Sequence, residues 1–208
     1  MARSGLQPRG AYSYSKLGIK YEYCNKSGIR VPNLAGEYHS VLRQYWETHG
    51  LGRQCLLVSE SKRVKMLMEE IYPGVSFTTA DLYYELLGNE ECDKPDVVWD
   101  VCLRPDKDLF PELFQSIICH ALLEHVIAPT IAIRNMFTLL AKDSFLYGLT
   151  HTPSFPVHRY PRDYFRFHQD YFEDLPSHLL KLYCLKVELM ELYSKEGVVI
   201  FAYKKLSE

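Results

Sequence analysis

The most constraining feature of this 208-residue chain is the stretch of residues 114–167. It begins with an apolar segment, FQSIICH, which stops at a polar corner and is followed by a helical pattern with Pro129 in its first turn. A second apolar segment, SFLYGLTHT, leads into a loop rich in proline, histidine and arginine. A strand, a helix and a strand with polar residues after each strand are half of a doubly wound α/β sheet, which binds ligands at the carboxyl ends of its strands.

The part of the chain before this stretch adds alternating helices and strands. Apolar residues recur at helical spacing in residues 37–49 and in residues 62–72, and each segment is followed by a glycine or a Pro-Gly pair. Short apolar segments predict strands at residues 54–59, 75–81 and 95–100. Together with strands at 114–120 and 144–152, these give five strands with short crossovers, which indicates parallel pairing with right-handed connections.

The C-terminal segment predicts a short helical turn and then a pair of strands. The turn covers residues 170–175, and the strands cover residues 180–193 and 197–204. Because only a short connection at residues 194–197 joins the two strands, they must be antiparallel to each other. The sequence VVIFAY in the second strand is continuously apolar, so we expect it to be buried on both faces, whereas LKVELMEL alternates as an edge strand does.

The amino-acid composition bears on the partners of the protein and on its cellular compartment. The 24 basic and 26 acidic residues nearly balance, so the charge gives no general argument for a nucleic-acid or membrane partner. No apolar run is long enough to span a bilayer, and the first residues lack the apolar segment of a signal peptide. The six cysteines form no C-x-x-C pair and several lie in apolar segments, which favours reduced thiols in a cytoplasmic protein.

Residues 1–35 differ from the rest and are interpreted as an extension to one domain at residues 36–208. They are rich in glycine, serine, tyrosine and basic residues, and Glu22 is the only acidic residue among them. One interpretation is a loosely ordered arm whose tyrosines dock on the domain. The alternative is a basic, aromatic strip that contacts an anionic partner, including a nucleic acid.

Within residues 114–167, the corner after the first strand reads Leu-Glu-His, and the final loop reads H-x-Y-P-x-D-Y-x-R-F. The residues of these motifs are Leu123, Glu124, His125, Pro129, His158, Tyr160, Pro161, Asp163, Tyr164, Arg166 and Phe167. In these motifs and in its terminal hairpin, the chain from about Gly50 onward resembles the class I S-adenosylmethionine-dependent methyltransferases. The resemblance implies a Rossmann-like α/β fold with a seven-stranded sheet in the order 3-2-1-4-5-7-6 and a C-terminal antiparallel hairpin. It also implies S-adenosylmethionine as the cofactor.

The same resemblance implies which residues bind the cofactor. A carboxylate after the second strand binds the ribose hydroxyls in the family, and Asp81 matches it; the alternative is that Asp81 caps a helix. An acidic residue after the third strand meets the adenine, and Asp100 matches it, with Val101 and Cys102 beside the ring; the alternative is a solvated strand end. The floor of the site follows the fourth strand and corresponds to Cys119 and His120.

The first loop departs from the family pattern. The family has a glycine-rich turn there, which lets the backbone approach the methionine end of the cofactor. This chain has Ser59 and Glu60 at the predicted cofactor contacts, followed by Ser-Lys-Arg and no glycine. Either the loop takes a different route and still binds the cofactor, or the pocket is closed. In the first case Lys62 and Arg63 lie near the methionine carboxylate of the cofactor; the alternative for these two side chains is that they extend into water. A closed pocket would make the chain a non-catalytic, methyltransferase-like binding or scaffold protein.

The loop at residues 153–167 is where the resemblance implies contact with a methyl acceptor. The residues predicted to bind the acceptor are His151, Tyr160, Arg162 and Arg166, and the candidate bases are His158 and Asp163. The alternative is a rigid packing loop in which Arg166 pairs with Asp163. The histidines at 120, 125, 151 and 158 lack the spacing of a metal motif, so no metal is predicted. The leading function is methyl transfer to a small or glycan-like acceptor; the sequence specifies neither the acceptor nor the oligomeric state.

Overall fold

The computed structural model describes residues 37–82, 94–157, 162–195 and 197–207. The extension at residues 1–35 lies outside these described residues. In chain order the helices and strands are α1 (Glu37–His49), β1 (Gln54–Val58), α2 (Lys62–Ile71), β2 (Ser76–Asp81), β3 (Val97–Val98), β4 (Phe114–His120), α3 (Pro129–Leu139), β5 (Leu140–His151), α4 (Gln169–Tyr183), β6 (Val187–Lys195) and β7 (Val198–Lys205). A short 3₁₀ helix, Leu123–His125, lies between β4 and α3.

The strands form one seven-stranded sheet in the order β3-β2-β1-β4-β5-β7-β6. Strands β1 to β5 are parallel, and β7 pairs antiparallel with both β5 and β6. The predicted fold class, strand order and terminal hairpin are therefore confirmed. The chain leaves β1 towards β2 and β3 on one side and later returns to β4 on the other. Such a reversal opens a crevice between the carboxyl ends of the two central strands.

Two clusters of buried side chains cover the two faces of the sheet. Within β1, Leu56 and Val58 belong to the cluster that contains α3 and α4, whereas Cys55 and Leu57 belong to the cluster that contains α1 and α2. This alternation is the period of two that side chains follow along a strand. Strand β7 is buried along most of its length, as its continuous apolar sequence predicts.

The prediction for the segment before β6 was wrong. Instead of a short turn at residues 170–175 and a strand from residue 180, one helix of 15 residues, α4, reaches Tyr183, and β6 starts only at Val187. Phe172, Leu175 and Leu179 are buried on one side of α4. Their spacing is that of a helical stripe, which continues past Leu175, where the predicted turn ends.

Helix α4 continues through Pro176 because a distant tyrosine replaces the missing backbone donor. Proline has no N–H to donate to the carbonyl four residues earlier, which here is Phe172 O. The Tyr203 hydroxyl on β7 donates to this carbonyl at 2.5 Å. Burial raises the pKa of Tyr203 well above its ordinary range, so the hydroxyl keeps its proton for this hydrogen bond.

Strand β5 begins earlier than predicted. It starts at Leu140, directly after α3, rather than at residue 144. The pairing shifts within the strand, because Phe114 is opposite Leu140 whereas Ser116 is opposite Phe145. Asp143 lies in this irregular part with a φ of 57°. The residues just before the predicted strand therefore form a bulge inside the observed one.

Strand β3 is shorter than predicted and covers only Val97–Val98 rather than residues 95–100. Before it, Asp96 N donates to Thr79 Oγ1 at 2.8 Å, and the Asp96 carboxylate accepts from Thr79 N at 3.0 Å. After it, the Asp100 carboxylate accepts from the second following amide at 2.9 Å and turns the chain. Side-chain hydrogen bonds at both ends thus replace the backbone ladder.

Candidate active site

A pocket lies at the carboxyl ends of β1, β2 and β3 and against the residues that follow β4. Its lining combines apolar side chains with two carboxylates. The lining residues are Val58, Ser59, Asp81, Leu82, Trp99, Asp100, Val101, Cys102, Leu122, Val126 and Ile127. The structure therefore brings together five of the residues predicted to bind the cofactor, namely Ser59, Asp81, Asp100, Val101 and Cys102.

The two carboxylates of the pocket come from neighbouring strands. Asp81 is the last residue of β2 and is 6% exposed, and its main-chain carbonyl accepts from Trp99 N at 3.3 Å. Asp100 follows β3, and its Oδ1 accepts from Cys102 N. Burial raises the pKa of the Cys102 thiol, so a neutral thiol rather than a thiolate lies beside the carboxylates. The pocket therefore combines hydrogen-bond acceptors with an apolar wall.

A buried asparagine on α3 holds the wall after β3 in place. Asn135 Nδ2 donates to Val101 O at 2.9 Å and to Leu103 O at 3.0 Å, and Asn135 is 1% exposed. Asn135 was not among the residues predicted from the sequence. The sequence contains one sign of its role, a single amide inside the apolar stripe of α3. A buried amide requires hydrogen-bond partners, and here the partners are carbonyls of the loop that lines the pocket.

The glycine-free first loop adopts a conformation that glycine favours. Ser59, the residue after β1, has a φ of 67°, and its N–H donates to Ala80 O at 2.8 Å. Ala121, the residue after β4, has a φ of 48°. A positive φ costs a residue with a Cβ about 1–2 kcal/mol, and such strain concentrates at functional sites. A strained residue therefore follows each of the two central strands, β1 and β4.

Glu60 and His120 form a pair across this crevice. The distance from His120 Nδ1 to Glu60 Oε1 is 3.3 Å, and the side chains are 26% and 17% exposed, respectively. Cys119, the other predicted floor residue, is fully buried in the core, and burial raises the pKa of its thiol far above the ordinary range. Of the two floor residues, only His120 is accessible.

Glu124 in the Leu-Glu-His corner is a fully buried carboxylate that joins β4 to β5. Its Oε2 accepts from Thr150 Oγ1 at 2.6 Å, and its Oε1 lies 2.5 Å from His151 Nδ1. Burial acts to raise the pKa of Glu124, but the hydrogen bond and charge of His151, with the Thr150 hydroxyl, lower it to about 2. His151, which was predicted to bind the acceptor, is buried in this contact and stacks on Phe155 with ring centroids 3.7 Å apart.

The acceptor loop is fastened by a second ion pair. Arg166 Nη2 donates to Asp163 Oδ2 at 2.5 Å, and Asp163 Oδ1 lies 3.3 Å from His125 Nδ1. Arg166 also donates to Pro156 O at 3.1 Å. These contacts are those of the rigid packing loop that the sequence analysis kept as an alternative. Whether Asp163 or Arg166 also acts on an acceptor stays a prediction.

The other predicted acceptor contacts divide into two groups. Arg162 has an exposed side chain, and its main-chain carbonyl lies 3.1 Å from His125 Nδ1. His158 and Tyr160 lie outside the described residues.

Within the described part of the chain, no group of three or more metal-ligating side chains is placed to hold a metal ion. Nor does any helix among those residues have the length and apolar character needed to cross a membrane.

No protein-family model and no curated protein sequence matches this chain. Solved structures do match it. A putative S-adenosylmethionine-dependent methyltransferase from Listeria monocytogenes aligns over 84% of this chain and 100% of its own, with 10% identity and a TM-score of 0.57. The N-methyltransferase NodS from Bradyrhizobium japonicum WM9, in complex with S-adenosyl-L-homocysteine, aligns over 83% and 88%, with 14% identity and a TM-score of 0.51.

A third match carries a small-molecule substrate. It is the 1,6-didemethyltoxoflavin-N1-methyltransferase from Burkholderia thailandensis, with 1,6-didemethyltoxoflavin and S-adenosylhomocysteine bound. It aligns over 80% of this chain and 77% of its own, with 15% identity and a TM-score of 0.53. The strand order and these likenesses define a protein with the fold of the class I S-adenosylmethionine-dependent methyltransferases. Identities this low show the fold and not the activity, so the function is a proposal.

Proposed function

We propose that this chain binds S-adenosylmethionine in the crevice and transfers its methyl group to a small-molecule acceptor. The observation that carries the proposal is the pocket that Asp81 and Asp100 both line, each at or just after the end of one of two neighbouring strands. A pocket at the carboxyl ends of parallel strands is where a doubly wound sheet binds a nucleotide-like ligand.

The chemistry of the lining suits the adenosine part of the cofactor. A carboxylate such as Asp81 accepts hydrogen bonds from two vicinal ribose hydroxyls. Val101, Leu122 and Val126 supply apolar surface for the flat adenine ring, and Asp100 supplies an acceptor for its amine. The hydrogen bonds from Asn135 fix the position of this wall before any ligand binds, which lowers the ordering cost of binding.

The first loop also fits the methionine end. The positive φ of Ser59 supplies without glycine the backbone direction that the family obtains with glycine. Helix α2 starts three residues later, with Lys62 and Arg63 in a first turn that contains no acidic residue. The amino-terminal end of a helix stabilises an anion, and the two cations add to this field, so a carboxylate is favoured there.

The acceptor is expected on the side of the crevice towards β5. The described rim there exposes aromatic and aliphatic side chains, with Val157 71% exposed, Tyr164 45% and Phe165 39%. Such surfaces stack on flat heterocycles and on the apolar faces of sugar rings, which supports a small-molecule or glycan-like acceptor. The bound cofactor supplies an electrophilic methyl group, and the protein aligns an acceptor with it and excludes water.

Titration calorimetry with S-adenosylhomocysteine tests the proposal. The wild-type chain is expected to bind, and Asp81→Ala is expected to weaken binding about tenfold or more, because a charge-assisted hydrogen bond contributes about 1.5–3 kcal/mol. Asp108→Ala is the matched control, since Asp108 is exposed and lies outside the pocket lining. Transfer of tritium from methyl-labelled S-adenosylmethionine to fractions of a metabolite extract then identifies the acceptor.

The same measurements separate the enzyme from its alternative. No heat and no thermal shift at about 1 mM ligand would exclude binding stronger than about 4 kcal/mol. That result would refute cofactor binding and favour a methyltransferase-like scaffold. Binding that survives Asp81→Ala but is lost in the double variant Lys62→Ala, Arg63→Ala would instead place the anchor at the methionine carboxylate.

A further inference from the structure

The pair of Glu60 and His120 bridges the two central strands of the sheet. Val58 of β1 and Cys119 of β4 are register partners; His120 directly follows Cys119, and Glu60 comes two residues after Val58. The ring nitrogen Nδ1 lies 3.3 Å from Glu60 Oε1, and both side chains are mostly buried but reach solvent. A carboxylate beside one ring nitrogen of histidine fixes the ring and directs the other nitrogen, Nε2, to the opposite side.

Backbone strain surrounds this pair. The strained residues Ser59 and Ala121 are the immediate neighbours of Glu60 and His120 in the chain. Among the described residues, Asp143 and Cys184 are the only other non-glycine residues with positive φ, and they lie in the β5 bulge and at the end of α4. Strain of this kind persists where the surrounding structure requires one side-chain position.

The pair lies between the two halves of the proposed site. The adenosine pocket extends from Ser59 towards β2 and β3, whereas the acceptor loop follows β5. His120 ends β4, which stands between β1 and β5 in the sheet. A methyl group that passes from one half to the other has to cross the crevice beside this strand end.

We propose that His120 is the base of the methyl transfer and that Glu60 is its positioning residue, so that the acceptor is a hydroxyl or a ring N–H that must lose a proton. The inference rests on the proposed function. In the step, the acceptor atom forms a bond to the methyl carbon, and the bond from that carbon to sulfur breaks. The sulfur keeps the electron pair, His120 takes the proton of the acceptor, and the proton then passes to solvent. No oxidant or further reactant is needed.

A binding experiment tests this without knowing the acceptor. Sinefungin carries an ammonium group where S-adenosylmethionine carries the methyl group that is transferred, and S-adenosylhomocysteine carries nothing there. If His120 Nε2 faces that position, His120→Ala and Glu60→Gln will each weaken the binding of sinefungin about fivefold. The first substitution removes a partner of the ammonium group, and the second removes the negative charge behind the imidazole ring that attracts a cation. The affinity for S-adenosylhomocysteine will stay within about twofold of the wild-type value.

Exposed residues of the same types supply the controls. Glu69→Gln on α2 and His178→Ala on α4 make the same chemical changes at exposed positions, and are expected to change neither affinity. Retained affinity for S-adenosylhomocysteine also shows that each variant is folded.

Three results would overturn the inference. An equal loss of affinity for sinefungin and for S-adenosylhomocysteine would mean that the pair binds the methionine end of the cofactor. Unchanged affinity for both ligands would mean that the pair lies away from the methyl group. Failure of the wild-type chain to bind S-adenosylhomocysteine would refute the proposed function itself, and this inference with it, so the two failures are distinguishable.

Discussion

Replacing the buried carboxylate of the Leu-Glu-His corner is expected to make stability depend less on pH. In Glu124→Gln the side chain keeps its shape and the acceptor for Thr150 Oγ1, but it loses the charge that contacts His151. The corner also accepts, through Glu124 O, hydrogen bonds from Tyr164 N at 2.7 Å and Phe165 N at 3.2 Å. These backbone contacts do not depend on the side chain, so the substitution leaves them in place while it removes the charge and puts an amide donor opposite His151 Nδ1.

The magnitude follows from the pKa of Glu124. The ordinary value for this carboxyl is 4.5, and in the folded chain it is lowered to about 2. At about 1.4 kcal/mol for each pH unit, this difference corresponds to about 3 kcal/mol of folding free energy. Because the folded pKa is the lower one, the contribution is complete above the unfolded pKa of 4.5. It is lost as the pH falls from there towards 2.

Urea unfolding of the wild-type chain and of Glu124→Gln between pH 7 and pH 3 measures this contribution. The variant is expected to be less stable by about 3 kcal/mol at pH 7, and the difference between the two free energies of unfolding is expected to shrink below about pH 4.5. Glu70→Gln, at an exposed position on α2, is the control and should follow the wild-type curve. A difference that stays constant across the pH range would refute the argument, because it would show that shape rather than charge decides the cost.

Two further sets of substitutions test the contact of α4 with Tyr203 and the strain at Ser59. Tyr203→Phe leaves Phe172 O without its donor and is expected to lower the free energy of unfolding by about 1–3 kcal/mol. Adding Pro176→Ala to this variant restores a backbone N–H at position 176 and is expected to recover most of the loss. Equal losses with and without Pro176→Ala in urea unfolding would contradict this. Ser59→Gly is expected to keep the affinity for S-adenosylhomocysteine, because glycine adopts a positive φ easily. Ser59→Val is expected to lower the free energy of unfolding by about 1–2 kcal/mol, because a β-branched residue tolerates positive φ poorly. An unchanged free energy of unfolding in Ser59→Val would show that the strain is absent.

The sheet was predictable because each strand carries its own local signal. Apolar segments ending in Asp81, Asp100 and His120 mark carboxyl ends of parallel strands, and the fold brings such ends to one edge. Residues at these ends therefore meet in space, although they are far apart in the chain. For this reason the pattern of strand ends predicts that Asp81 and Asp100 share one crevice, and both line the pocket.

The elements that were missed depend on partners far away in the chain. Pro176 predicts the end of a helix, and only the contact with Tyr203 explains why α4 continues. Asn135 looks like an isolated polar residue on an apolar stripe until the loop carbonyls of Val101 and Leu103 are placed beside it. Propensity and periodicity describe local preference, and neither contains the partner that satisfies a buried polar group.

The first loop shows why the absence of glycine does not by itself close the site. What a cofactor requires there is a backbone direction, and glycine is the residue that adopts it at the lowest cost. Ser59 adopts the same region at a φ of 67°, held by its hydrogen bond to Ala80 O and by the parallel pairing of Val58 with Ala80. These contacts with the sheet therefore offset the cost of the positive φ, about 1–2 kcal/mol, which glycine would not incur. A strained residue is kept in this way where its position matters, and the position is the wall of the pocket beside Glu60 and His120.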